Sequence, residues 1–165
     1  MKTKRILKHL ITSDMSLRKK FSPEVMKSIE QAIAESEKLH SGEIRFAVEN
    51  TLEFFPLLKG VSARERAITV FSDLGIWDTE QNNGVLIYLL LADHDVEIIA
   101  DRGINKKISV DEWEIICKKM EDSFRRGEFE QGVKNGIKEI SKYLEMYFPP
   151  DGNDRNELPN KPVVI

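Results

Sequence analysis

A single cysteine, Cys117, stands in the whole chain. One thiol cannot close an internal disulfide, so nothing ties the protein to an oxidising compartment, and the cytoplasm is the expected location. Glycine and proline are scarce, nine and six of 165 residues, which excludes collagen-like and low-complexity chains. Long apolar runs are missing too: Val85–Ala92 is less than half the ~18 residues that a membrane span needs. At the N-terminus the apolar pair Ile6-Leu7 is interrupted by Lys8-His9, so no signal peptide is expected. Glycine-rich phosphate loops, paired Cys-x-x-Cys, His-Glu-x-x-His and Gly-x-Ser-x-Gly are all absent, which argues against catalysis by those devices and against an organic cofactor.

What is present is ordinary globular composition, 41% hydrophobic and 32% charged, with a net charge of −3. The charge is unevenly placed. Lys2, Lys4, Arg5, Lys8, Arg18, Lys19 and Lys20 oppose Asp14 alone, making residues 1–21 a basic N-terminal arm. Such an arm can touch an anionic membrane face or a protein partner, while the blander reading packs Ile6, Leu7, Leu10 and Ile11 on the domain. No aromatic interleaving accompanies the lysines, so nucleic acid is not an expected partner.

Residues 22–148 alternate helical and strand periodicity. Ser22-Pro23 opens a helix predicted to run to His40, and Glu43–Glu49 alternates as the first strand, with Ile44, Phe46 and Val48 on one face. A loop carrying Phe54, Phe55 and Pro56 leads to the capping box Ser62-Ala63-Arg64-Glu65 and a helix ending near Gly75. Val85–Ala92 is apolar on both faces, which calls for helices on both. Asp93-His94-Asp95 turns into a third strand, Val96–Ala100, and a second capping box, Ser109 to Glu112, opens a helix whose Trp113, Ile116, Cys117, Met120 and Phe124 form a regular stripe. A last helix, from Phe129 to Tyr147, stops at Pro149-Pro150. Residues 149–165 are polar and proline-bearing, and are expected to be a flexible tail. The fold class is therefore α/β, a small mixed sheet with element order α-β-α-β-β-α-α.

A right-handed crossover makes the first two strands parallel, and the hairpin makes the third antiparallel. Three loops then meet at one end of the sheet, bringing together Gly42-Glu43, Asn82-Asn83 and Asp101-Arg102-Gly103. Carboxylate and amide oxygens suit a hard cation, so Glu43, Asn82, Asn83 and Asp101 are candidate ligands for calcium or magnesium. Arg102 is a candidate for a phosphate or anion, and Gly84 and Gly103 for the turns themselves. Asn82 and Asn83 also suit a turn without any metal.

Asn82-Asn83-Gly84-Val85-Leu86-Ile87-Tyr88, Asp101-Arg102-Gly103-Ile104, Phe71-Ser72-Asp73-Leu74-Gly75 and Phe124-Arg125-Arg126-Gly127 together resemble the TPM domain family, named for a thylakoid lumen protein, a photosystem II repair protein and an acetylcholine-receptor accessory protein. The segments Leu10–Phe21 and Asn156–Pro159 are similar to a short bacterial branch without signal peptide or membrane anchor. The resemblance implies a three-layer α/β/α sandwich, calcium binding in some members and an acid phosphatase activity claimed for the plant one. The branch is similar to proteins encoded near a LemA-type membrane protein, which implies a protein partner at the membrane or envelope and a place at the inner membrane face. Asp101 departs from the family, standing where the first glycine of a Gly-x-Gly is common.

Two other comparisons carry less. Asp78, Glu80 and Asn82 take the spacing of an EF-hand loop, but Asn83 replaces its glycine and Leu89 its closing glutamate. Asp93 and Asp95 follow an apolar strand as in haloacid dehalogenase phosphotransferases, yet an immediate return strand leaves little room for that family's intervening structure. The expected function is an accessory or binding module of the TPM type, taking a divalent cation and linked to membrane or envelope maintenance. The alternatives are a metal-dependent acid phosphatase, with Glu43, Asn83 and Asp101 on the ion and Arg102 on the phosphate, and a purely protein-binding module acting through the basic arm.

Overall fold

The computed structural model describes residues 2–150, 152 and 155–165. Helices α1 (Lys2–Ile11), α2 (Asp14–Lys20) and α3 (Pro23–Ser36) lead into strand β1 (Glu43–Glu49). Helices α4 (Phe54–Lys59) and α5 (Ala63–Asp73) then cross to β2 (Gly84–Leu90), which turns into β3 (Asp95–Ala100). Helices α6 (Arg102–Asn105), α7 (Val110–Arg125) and α8 (Phe129–Tyr147) follow, and a short β4 (Val163–Val164) closes the chain. The sheet order is β3-β2-β1-β4, with β2 parallel and β4 parallel to β1, and β3 antiparallel to β2.

Every residue of β1 and β2 is buried, because both faces of the sheet are covered. Ile44, Phe46, Val48, Val85, Ile87 and Leu89 pack beneath α3, α7 and α8 with Ile29, Ile33, Trp113, Met120 and Ile140. Ala47, Leu86, Tyr88 and Leu90 pack on the other side with Leu57 of α4 and Ala63, Ala67 and Val70 of α5. This is the three-layer α/β/α sandwich, and the alternating pleat assigns each strand residue to one layer. Both capping boxes form: Ser62 Oγ accepts from Glu65 N–H and Ser109 Oγ from Glu112 N–H, while each glutamate returns to the backbone N–H of its serine.

Three departures from the sequence reading have physical causes. The first core helix stops at Ser36, not His40, because the Glu37 carboxylate accepts the Ile44 N–H at 2.9 Å and draws the chain into β1. Phe54-Phe55-Pro56 form a helix rather than a loop, with Pro56 in the first turn, where its missing N–H costs nothing.

The third departure is the C-terminal tail. Residues 155–165 are not a free extension: β4 adds to the edge of β1, Leu158 is buried, and Arg45 Nη1 donates to the Lys161 carbonyl at 3.2 Å. Residues 151, 153 and 154, which share that expected tail, lie outside the described residues.

Candidate functional site

The register lays Glu43, Gly84 and Asp101 side by side at one end of the sheet. Glu43 pairs with Gly84, and the Asp101 N–H donates to the Gly84 carbonyl at 2.9 Å. The topology therefore brings the three predicted loops to one rim, but the side chains on it separate into groups.

Two strand spacings, about 10 Å, divide the Cα atoms of Glu43 and Asp101. Ile76 fills the gap above Gly84, where a Cβ would lie 2.2 Å from the Ile76 carbonyl oxygen. Glu43 instead turns to the C-terminal segment, accepting the N–H groups of Glu157 and Leu158 at 2.9 and 3.2 Å. Asn83 belongs to the opposite face by the alternation of the pleat. Its Nδ2 donates to the Ser41 carbonyl at 2.9 Å, and its N–H to Thr79 Oγ1 at 3.1 Å.

Asn82 and Asp101-Arg102-Gly103 do meet. Asn82 takes a left-handed φ of 54°, which Asn tolerates better than most residues. Its carbonyl accepts from Gly103 N–H at 2.9 Å and Ile104 N–H at 3.3 Å, and its Oδ1 accepts from Arg102 Nε at 2.9 Å. Only glycine fits at 103, because a Cβ there would lie 2.4 Å from the Asn82 and 2.6 Å from the Gln81 carbonyl oxygen. Asp101 caps α6 by accepting the Arg102 N–H on Oδ1. Its other oxygen, Oδ2, is shielded from solvent and has no hydrogen-bond partner, as is Asn83 Oδ1.

Beside Glu43 opens a recess of about 420 Å³, bordered by Glu37, His40, Arg155 and Asn160. His40 is fully buried with Nδ1 on the Gly42 carbonyl at 3.0 Å, and burial lowers its pKa to about 4. It is neutral at physiological pH, and hydrogen bonding fixes its orientation. Among the described residues no three His, Cys, Asp or Glu side chains converge as a metal cluster would.

A model of the TPM domain matches residues 17–143. The chain belongs to the TPM domain family. The TPM fold is matched in turn by the BA42 protein of the psychrophilic bacterium Bizionia argentinensis, solved by NMR, with a TM-score of 0.77 and 36% identity over 87% of this chain and 94% of that one. No curated protein sequence matches. No helix among the described residues of this TPM protein is long and apolar enough to cross a membrane.

Sequence reasoning reached the far end of the sheet, where β1 and β2 finish, only through the spacing of Asp93 and Asp95, and missed the partners of Asp93. There Asp93 Oδ2 accepts from Arg5 Nε at 2.7 Å and lies 3.3 Å from His9 Nε2, while the Leu52 N–H donates to His9 Nδ1 at 3.1 Å. Asn50 Nδ2 donates to Asp14 Oδ1 at 3.0 Å. Helices α1 and α2 are thus clamped over that end, and Asp93 is engaged in the clamp. Cys117, on α7 against β3, has its thiol pushed up to about 12, first by burial and then by nearby carboxylates, so it stays protonated. The alternation of charge and apolar residues along 1–20 was the available signal, but it does not name the partners.

Proposed function

We propose that this TPM domain is a binding module rather than a catalyst, and that it takes a divalent cation, calcium or magnesium, where the loop before β2 meets the turn after β3. The observation that carries the reading is the Asp101 carboxylate. One oxygen caps α6 while the other is shielded and unpartnered, a costly state for an ionised group unless a cation meets it. The carbonyls of Gln81 and Asn82 crowd the same junction, and hard cations prefer such oxygens. Asp101 is the ligand that would hold the ion, with loop carbonyls and water completing the shell. Glu43 is committed to the C-terminal segment and Asn83 to the other face, so neither enters the set.

One carboxylate supports weak binding, on the order of 10⁻⁴ to 10⁻³ M, as in extracellular-type calcium sites. The phosphatase alternative gains less support. Its anion-binding candidate, Arg102, already donates Nε to Asn82, and Glu43 and Asn83, two of its three metal ligands, are engaged elsewhere. A setting at a membrane or envelope, with a protein partner there, is part of this reading and is supported by the family likeness alone. Calorimetric titration of the chelator-treated protein tests the cation. Saturable binding of calcium or magnesium that disappears in Asp101→Asn is the expected result, and equal binding by that variant would refute the assignment.

A further inference from the structure

Among the described residues, one side holds helix α1 to the body: Arg5, Ile6 and His9 face inward, through the Arg5 Nη1 bond to the Val61 carbonyl, packing of Ile6 on the α4–α5 layer, and the bond from the Leu52 N–H to His9 Nδ1. Those anchors fall on both flanks of α4, because Leu52 precedes it and Val61 follows it. The two helices are therefore neighbours.

Both turn large apolar side chains to solvent. On α1 these are Leu7, Leu10 and Ile11, the last two 71% exposed. At 100° per residue the three share an arc of roughly 100° away from the inward side. On α4, Phe54 and Phe55 pack edge to face on each other at 5.8 Å, and Phe55 is 72% exposed. A soluble monomer rarely leaves such neighbouring apolar groups uncovered. Lys4 and Lys8 border the arc on α1, and Lys59 ends α4, all exposed; Glu53 is the acidic side chain beside them.

We propose that this face of α1 and α4 docks on an anionic lipid bilayer, with Leu7, Leu10, Ile11, Phe54 and Phe55 entering the headgroup boundary and Lys4, Lys8 and Lys59 meeting lipid phosphates. Charge selects this occupant. The lysines fringe the apolar patch of a chain that is acidic as a whole, the combination that an amphipathic surface helix uses on anionic lipid. A second copy placed face to face would set lysine against lysine. The inference stands apart from the cation reading, since it uses none of the residues of that site.

The test is co-sedimentation of the full chain with phosphatidylglycerol–phosphatidylcholine vesicles in EDTA, which removes calcium bridging, against pure phosphatidylcholine. Binding confined to anionic vesicles and weakened by salt is expected. Phe54→Ala with Phe55→Ala should lower the partition coefficient at least about ten-fold, and Lys4→Ala with Lys8→Ala on the order of 20-fold, about five-fold per lysine. Both pairs are exposed, and unchanged thermal unfolding will show that the fold survives. No binding to anionic vesicles, or binding that the variants leave intact, overturns the proposal. So does a dimer in sedimentation equilibrium that the Phe54/Phe55 variant abolishes while vesicles bind nothing.

Discussion

His40 and Asp95 show how burial sets residue chemistry here. His40 has its pKa lowered to about 4 by burial, so the unfolded chain binds the extra proton between pH 6.5 and 4, and stability falls as pH drops through that window. Asp95 is the reverse case. Burial first, then the neighbouring Glu97, Glu121 and Asp93, raises it to about 6 from 3.8, so the folded chain holds the extra proton and stability falls as pH rises through about 4 to 6. The two slopes oppose each other over the shared interval. Asp95→Asn removes the second, so urea unfolding should show its stability advantage over the native chain growing from near zero at pH 4 to on the order of 1–2 kcal/mol at pH 7, since solvent screens part of the effect at this partly exposed site. A constant offset across that range would contradict the assignment. Neither burial was legible in the sequence: His40 fell inside an expected helix, and Asp95 inside an expected turn.

At the scale of elements, legibility followed the range of the forces. The capping boxes at Ser62 and Ser109 and the stripe from Trp113 to Phe124 rest on residues three or four apart, and they were readable. Strand β4 was not, because its docking depends on Glu43 and Arg45, more than a hundred residues earlier in the chain. Helix α4 was too short for periodicity to distinguish it from a loop. Because Glu43 accepts two N–H groups of the returning segment, Glu43→Ala should cost about 2–3 kcal/mol and leave the buried Leu158 N–H unmet. Hydrogen exchange should then speed up at residues 157–158 and across β4. Unchanged protection there would mean that β4 holds without the carboxylate.

At the scale of the whole molecule, the α/β class, the parallel pair β1–β2 and the antiparallel hairpin to β3 all follow from connection length and handedness, and periodicity alone was enough to reach them. The convergence of side chains at the sheet end was not reachable that way. Topology carries Glu43, Asn83 and Asp101 to one rim, but the pleat turns Asn83 to the opposite layer, and Ile76 stands over Gly84 between the two carboxylates. The site we propose is smaller and centred on Asp101, with Asn82 and Gly103 shaping the junction. Nothing in the alternation of residues along a single strand reports which neighbour will fill the space above it. The measurement that tests this account most directly is a map of amide NMR shifts during a calcium titration of the chelator-treated protein. The account predicts saturable shifts centred on residues 81–83 and 101–104, with Glu43 and β4 unmoved; shifts centred on Glu43 and residues 155–158, or no saturable shift at millimolar metal, would contradict it.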